Sequence, residues 1–271
     1  MKEQRVALLG LGKIGNILLQ GLLKAGLPPK NAVATVRHPE RAQSLGKERA
    51  VAVGTDNRAA VRGADLVIIA VKPQNVRELL EEIRADVTPA QLVISVAASV
   101  PTGFIENLLA TPTPVVRAMP NTPSQVGAGM TGICRGKHAT DAHLDTARRL
   151  FDTVGRTVVV DEKHMDAVTG LSASGPAFVY IILESLAEAG VKVGLPRDIA
   201  TVLSAQTLLG AATVALETGD HPALLKDAVT TPAGCTIDGI LELEEGKLRV
   251  TLIKAVVKAT ARAKELMFEG Q

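Results

Sequence analysis

Tryptophan is absent from this chain, tyrosine occurs once and phenylalanine four times. Its cores must therefore be assembled from alanine, valine, leucine and isoleucine, and nothing resembles the aromatic–basic interleaving that stacks nucleic-acid bases. Lysines and arginines number 30 against 28 acids, a net charge of +2, which leaves no electrostatic footprint for a polyanion. Two cysteines, Cys134 and Cys235, are too few for a disulfide framework and lack metal-ligand spacing. Long apolar runs are missing as well: LVIIAV, residues 66–71, falls far short of a bilayer span. The strand-like stretch RVALLG comes almost at once, leaving no room before it for a signal peptide. These absences point to a soluble, cytoplasmic protein with no nucleic acid, membrane or metal as partner.

What is present is a 271-residue chain, 46% hydrophobic, long enough for two domains. Short apolar strands are expected at Val6–Leu9, Ala32–Val36, Leu66–Val71, Leu92–Ala97, Val115–Ala118 and Thr157–Val160. Helical patterns between the early strands argue for α/β architecture, a doubly wound and mostly parallel sheet over residues 1–161. From Glu162 the texture changes, and residues 162–271 read as all-α. GPAFVYIILESLAEAG presents Phe178, Ile181, Ile182 and Leu186 on one side, with Gly190 as its expected stop. The next helix has Pro196 near its start, a face of Ile199, Val202, Leu203, Gln206 and Leu209, and Gly219 after its end. A last helix is expected from Leu248 to about Met267. So apolar a segment of about 110 residues has spare faces, which a second copy of the chain would cover.

Between the first strand and the first helix, VALLGLGKIGNILL places Gly10, Gly12 and Gly15 in a G-x-G-x-x-G pattern. In that context the glycines permit a tight turn and close approach of a pyrophosphate to a helix N-terminus. The second strand then bears on the choice of dinucleotide. Folds that bind NAD usually end it with an acid that holds the ribose 2′-hydroxyl. Here Thr35 and Val36 are followed by Arg37, and no acid comes before Glu40. Arg37 suits a 2′-phosphate through a charge-assisted contact, with Thr35 as a further hydrogen-bonding group. NADP is expected, NADPH preferred over NADH; His38 reads as a surface histidine. Three further strand ends, AVKPQ, VAASV and VRAMPNTPSQVGAG, reach the same crevice, and Asn121 and Thr122 there could orient a nicotinamide or a substrate.

TTPAGCTIDG, residues 230–239, is rich in hydrogen-bond donors and precedes a helix carrying Ile237, Ile240, Leu241 and Glu244. Thr-Pro is a helix-start signal, threonine capping and proline taking the first helical position. The same helix N-terminus also attracts anions. Gly234 would let a ligand near the backbone, and Thr231 and Thr236 would add hydroxyl donors, an arrangement suited to a carboxylate.

AVKPQ, RAMPNTP, HMDAVTGLSASGPAF, AEAGVKVGL and HPALLKDAVTTPAGCTIDGILELEEG, with the glycine loop, resemble the pyrroline-5-carboxylate reductase family in order and along essentially the whole chain. The resemblance implies an N-terminal Rossmann domain and a helical C-terminal dimerisation domain. It implies NAD(P)H-dependent reduction of 1-pyrroline-5-carboxylate to L-proline by a homo-oligomer, a dimer at least, with a decamer as the larger assembly. The cofactor residues it implies are Gly10, Leu11, Gly12, Lys13, Ile14 and Gly15; Thr35, Arg37 and Asn57; Ala70, Val71, Lys72 and Pro73; Ala97; and Met119, Pro120 and Asn121. The small-molecule substrate's carboxylate falls to Thr231, Gly234, Cys235 and Thr236, with Thr236 also assigned the catalytic, orienting hydrogen bond. The related hydroxyacid dehydrogenases carry a lysine after the glycine-serine motif, and SASGPAFVY has none there, Lys163 reading as a surface charge. The alternatives are a reductase of another cyclic imine or small keto or hydroxy acid, and a non-catalytic NADP-binding regulator. Where the family usually has Ser-Pro-Gly-Gly, this chain has Thr231, Pro232, Ala233 and Gly234, and Ala173 and Phe178 replace a glycine and a tyrosine. Ala233 tolerates a positive φ badly, so that position is either ordinary here or the loop has shifted. Cys235 at a helix N-terminus would favour its thiolate and make the enzyme sensitive to oxidation; a small buried thiol is the alternative.

Overall fold

The computed structural model describes residues 3–49 and 51–269. By compactness the chain divides into Met1–Ser174 with Lys258–Gln271, and Gly175–Val257. The first unit is built on a sheet of eight strands: β1 (Val6–Leu9), β2 (Ala32–Thr35), β3 (Ala52–Gly54), β4 (Leu66–Ile69), β5 (Leu92–Ser95), β6 (Val115–Met119), β7 (Gly129–Arg135) and β8 (Gly155–Val159). Their order is β3-β2-β1-β4-β5-β6-β7-β8, parallel throughout except where β7 runs antiparallel to β6. The helices are α1 (Lys13–Lys24), α2 (Pro39–Arg49), α3 (Asn57–Val61), α4 (Val76–Ile83), α5 (Thr102–Leu108), α6 (Asp141–Phe151), α7 (Met165–Val168), α8 (Gly175–Lys192), α9 (Arg197–Thr218), α10 (Pro222–Ala228), α11 (Cys235–Glu245) and α12 (Leu248–Glu269).

The strands are apolar on both sides because helices cover both faces. On one face Val6, Leu8, Leu66, Ile68 and Ile94 meet Leu18 and Leu22 of α1 and Leu150 and Phe151 of α6. On the other, Ala7, Leu9, Val67, Ile69 and Val93 meet Val76, Leu80 and Ile83 of α4 and Ile105 of α5. Phe151 is the one aromatic among the largest fully buried side chains, so this core is built from aliphatics as the composition requires.

All six expected strands are present, five of them ending earlier or later by one or two residues. Two strands escaped the sequence reading. β3 is only three residues long. β7, GMTGICR, is diluted by glycines that packing demands: a Cβ on Gly132 would lie 2.7 Å from Val168 Cγ1, and one on Gly129 would lie 2.8 Å from the Val154 carbonyl oxygen.

In the second unit, α8 does not stop at Gly190. It continues to Lys192 and closes on Gly194, whose φ is +103, with Gly194 N–H donating to Val191 O and Leu195 N–H to Gly190 O. That is a Schellman ending. Gly190 is instead the point of close helix contact, since a Cβ there would lie 2.8 Å from Ala200 Cβ on α9. α9 thus packs on α8 through Ala200 and Ser204, and the face of Ile199, Val202, Leu203 and Leu209 is left exposed. Glu162–Lys192 and Arg197–Thr218 are each helices long and apolar enough to cross a membrane. Neither contains a long unbroken apolar run: Ser, Thr, Gln and Gly interrupt residues 199–216, where no charge occurs, and Glu184 and Glu188 interrupt α8.

Candidate active site

After β1 the chain turns through Gly10 and enters α1. Gly10 has a φ of +101, and its N–H and that of Leu11 both donate to Thr35 O at the end of β2, at 3.1 and 3.2 Å. A Cβ on Gly10 would sit 2.8 Å from Ala70 O, and one on Gly15 would collide with Gly10 O. These two glycines let three strand ends and a helix approach one another. Gly12 differs: a Cβ there would meet nothing within 4 Å. It caps α1 with no side-chain bond, and no acid lies in the first helical turn. The space over Gly12 thus lies open at the positive end of the helix, a fit for a pyrophosphate beside the first-turn residues Lys13 and Ile14. Arg41 of α2 braces this loop, its guanidinium donating to Leu11 O at 2.8 Å. Nothing in the sequence pattern announced that brace.

Beside the loop lies a cavity of about 210 Å³ lined by Gly10, Thr35, Arg37, Asn57, Val71 and Glu82, among others. Thr35 is buried, and its hydroxyl donates to Asn57 Oδ1 at 2.6 Å; Asn57 Nδ2 in turn donates to Glu82 at 2.9 Å. Thr35 thus orients Asn57. Arg37 is exposed on the rim with no hydrogen-bond or ion-pair partner among the described residues, as a group awaiting an anion would be. His38 is exposed. Ala70 continues from β4, its N–H bonded to Leu9 O, and Lys72 and Pro73 are exposed at the start of a short 3₁₀ turn.

At the neighbouring strand ends, Ala97 is buried and its N–H donates to Ser95 Oγ at 3.3 Å. Met119 ends β6, and Pro120 and Asn121 follow it, both buried. The Asn121 amide is bound within the protein: Nδ2 donates to Ser172 O at 3.1 Å, and Oδ1 accepts from Met130 N–H at 2.9 Å. Its side chain locks a π-helical turn, Thr169–Ala173, to the sheet, and such turns recur at functional sites. Arg117 on β6 is 4% exposed and pairs with Glu162 at 3.7 Å and Asp166 at 3.5 Å. Sequence spacing could not reveal this pairing, because the partners lie more than forty residues away.

In the second unit the loop at 231–234 is a turn and not the beginning of the helix. Gly234 N–H donates to Thr231 O at 3.1 Å, with Pro232 second and Ala233, at a φ of +58, third. These are the features of a type II turn, whose third position favours glycine. The helix-start reading of Thr231-Pro232 is therefore corrected: α11 begins at Cys235 with Gly234 as its cap. Proline fits both roles because each needs the same φ. A Cβ on Gly234 would run into Thr231 Oγ1. The cap receives no side-chain bond, and the hydroxyls of Thr231 and Thr236 have no partner among the described residues. Asp238, the acid of the first turn, is exposed and likewise unbonded. Cys235 is exposed, whereas Cys134 is buried, desolvation with help from Glu162 pushing its thiol up to about 12.

Neither alternative for Ala233 applies: the turn is kept, and the alanine itself takes the left-handed conformation. That conformation costs a non-glycine residue about 1 kcal/mol. Ala233→Gly is expected to raise the melting temperature by ~2–4 °C. An unchanged value in calorimetry would mean that the turn carries no strain.

A doubly wound sheet with a glycine cradle at a helix N-terminus, and a free arginine where an NAD-specific acid would stand, defines a Rossmann-type nicotinamide-dinucleotide oxidoreductase. Residues 5–99 match the family model described as NADP oxidoreductase coenzyme F420-dependent, and residues 162–266 match that for pyrroline-5-carboxylate reductase dimerisation. A pyrroline-5-carboxylate reductase of Methanosarcina acetivorans is 45% identical over 98% of this chain and 99% of its own. One from Arabidopsis thaliana is 38% identical over 97% and 95%. Among solved structures, the pyrroline-5-carboxylate reductase of Coxiella burnetii superposes with a TM-score of 0.90 at 36% identity, covering 97% of this chain and 98% of its own. That of Plasmodium falciparum, solved with NADP bound, gives 0.87 at 28% identity, covering 98% and 99%. The chain belongs to the pyrroline-5-carboxylate reductase family.

Proposed function

We propose that the chain reduces the C=N bond of 1-pyrroline-5-carboxylate to give L-proline, with NADPH as the preferred reductant. The observation that carries this reading is the 231–236 loop. Its helix N-terminus and two unpartnered hydroxyls make a grip for a carboxylate, which a nucleotide-sensing protein would not need. Full-length similarity to reductases of this one substrate supports it.

The residues assigned to the dinucleotide are Gly10 to Gly15 for the pyrophosphate, Arg37 and Asn57, with Thr35 behind them, for the 2′-phosphate side, and the strand ends 70–73, 97 and 119–121 for the remainder. The open space over Gly12 and the unpartnered Arg37 fit NADPH, which supplies the hydride when bound. The main-chain N–H groups of Cys235 and Thr236 hold the carboxylate, and the hydroxyls of Thr231 and Thr236 add to them. The Gly234 N–H, expected as a third donor, is spent on Thr231 O in closing the turn, so Gly234 serves by shape alone. An iminium is already cationic and becomes a neutral amine on reduction, so no oxyanion develops that would need an acid or metal. The chain's task is orientation. Thr236, too weak an acid to protonate the ring, acts by hydrogen bonding.

The enzyme is a homo-oligomer acting on a small molecule. The exposed faces of α8 and α9 lie within the segment that matches the dimerisation model, and we assign them to a second copy and not to lipid. Residues 162–271 then form the dimerisation half and residues 1–161 the dinucleotide half, with a decamer as the larger assembly. Two free thiols suit a reducing compartment and support the reading of a cytoplasmic enzyme.

The test follows NADPH absorbance after addition of racemic pyrroline-5-carboxylate, with NADH in parallel. Oxidation with proline formed is expected; tight NADPH binding without turnover would favour the regulator. Arg37→Ala is expected to raise the KM for NADPH by ~10–100-fold, the worth of a charge-assisted pair, and to leave that for NADH within about twofold. Equal losses with both nucleotides would remove Arg37 from the 2′-phosphate.

A further inference from the structure

The loop between β5 and α5 is fastened by two segments far away in sequence. Ser99 lies in it with a φ of +60, buried, and its hydroxyl donates to Ala263 O of α12 at 2.9 Å. A serine holds that left-handed conformation only where its surroundings over-determine it. Three residues later Thr102 opens α5, and its N–H and hydroxyl both donate to the Glu162 carboxylate, each at 2.7 Å. The same carboxylate faces the buried Arg117 at 3.7 Å. The grip on Thr102 is therefore held in place from behind.

Glu162 and Ala263 have a common property. The first precedes and the second follows the compact unit Gly175–Val257, so they lie on the stretches by which the chain enters and leaves it. Both fasten to one loop. That loop also holds Ala97, just beyond the carboxyl end of β5, in the row of strand ends where dinucleotides lie in sheets of this order.

We propose that Ser99 and Thr102 are positioning residues that couple the cofactor-facing loop to both chain connections of the helical unit. The inference rests on the cofactor assignment above. Coupling of this kind is reciprocal: whatever the pins contribute to cofactor affinity, the cofactor returns as order in the two connections. A pin that served the fold alone would alter melting and leave nucleotide affinity untouched.

The experiment measures NADPH dissociation constants by fluorescence, together with melting temperatures, for the full-length parent, Ser99→Ala, Ser99→Gly, Thr102→Val and Thr102→Ser. Ser99→Ala and Thr102→Val are expected to weaken NADPH by ~5–30-fold, within the usual range for coupled sites, and Thr102→Ser to stay within about twofold of the parent. Ser99→Gly relieves the backbone strain while losing the bond, so it keeps the fold but binds NADPH as weakly as Ser99→Ala. Hydrogen exchange on the parent should slow at residues 160–168 and 258–266 when NADPH is added. Unchanged affinity across the variants, or protection that reaches neither connection, overturns the inference. Failure of the parent to bind either dinucleotide overturns the functional reading itself, and this inference with it.

Discussion

Gly12→Ala is expected to abolish useful NADPH binding while leaving the protein almost as stable as before. The backbone of Gly12, at φ −76 and ψ −165, suits alanine, and the added methyl group would meet no protein atom within 4 Å. Alanine is a poorer helix cap than glycine, a loss of at most about 1 kcal/mol. The space that the methyl group would fill is the one assigned to the pyrophosphate. Affinity should fall at least ~100-fold, equivalent to about 2.8 kcal/mol. Gly10→Ala and Gly15→Ala should behave differently. Their methyl groups would press on main-chain carbonyls, and Gly10 would also be strained at φ +101, so the apo-protein itself should lose about 1–3 kcal/mol. Titration with NADPH beside thermal melting separates the two cases. A Gly12→Ala protein that bound NADPH normally would remove the pyrophosphate from this loop.

The second large effect belongs to the loop at 231–236. A methyl group on Gly234 would collide with the Thr231 hydroxyl and crowd Thr231 O, the acceptor that closes the turn. The turn must open, and the N–H groups of Cys235 and Thr236, which the turn aims, lose their common direction. Each hydrogen bond to a charged group contributes about 1.5–3 kcal/mol, so Gly234→Ala should lower kcat/KM for pyrroline-5-carboxylate by ~10²–10³-fold. Thr236→Val, which keeps the shape and removes the hydroxyl, should lose ~10–100-fold. NADPH affinity should remain at the parental value in both. Steady-state kinetics over a range of substrate, with nucleotide titration alongside, reads this out. A normal KM in Gly234→Ala would mean that the carboxylate is held elsewhere.

The fold class was legible because a doubly covered parallel sheet writes its strands as plain apolar runs, and VALL, LVII and LVIS are such runs. The cradle was legible because Gly10 and Gly15 are required by backbone contacts that recur wherever a strand, a tight turn and a helix meet. Misreadings came where one residue type serves two purposes. Gly190 looked like a helix stop and is a helix contact; Pro232 looked like a helix start and is a turn residue. Arg117, Glu162 and Thr102 carry no local pattern, since their meeting depends on strand order across the sheet. The thiols were distinguishable only in three dimensions, Cys134 on an interior strand and Cys235 at an exposed helix start.

The bare outer face of α9 bears on the order in which the enzyme is made. The strands leave the ribosome first, and both apolar clusters on their faces lie between Val6 and Val154, so these can form while synthesis continues, with the α12 part of that unit added last. The helices of the second unit follow, with Val202 68% and Leu216 61% exposed, and if a second copy covers them as proposed, their burial waits on meeting another chain. Maturation is thus a bimolecular event whose rate rises with the concentration of nascent chains, and dilution works against it as heat does. Between release and pairing, those helices are the part of the molecule with most need of a chaperone.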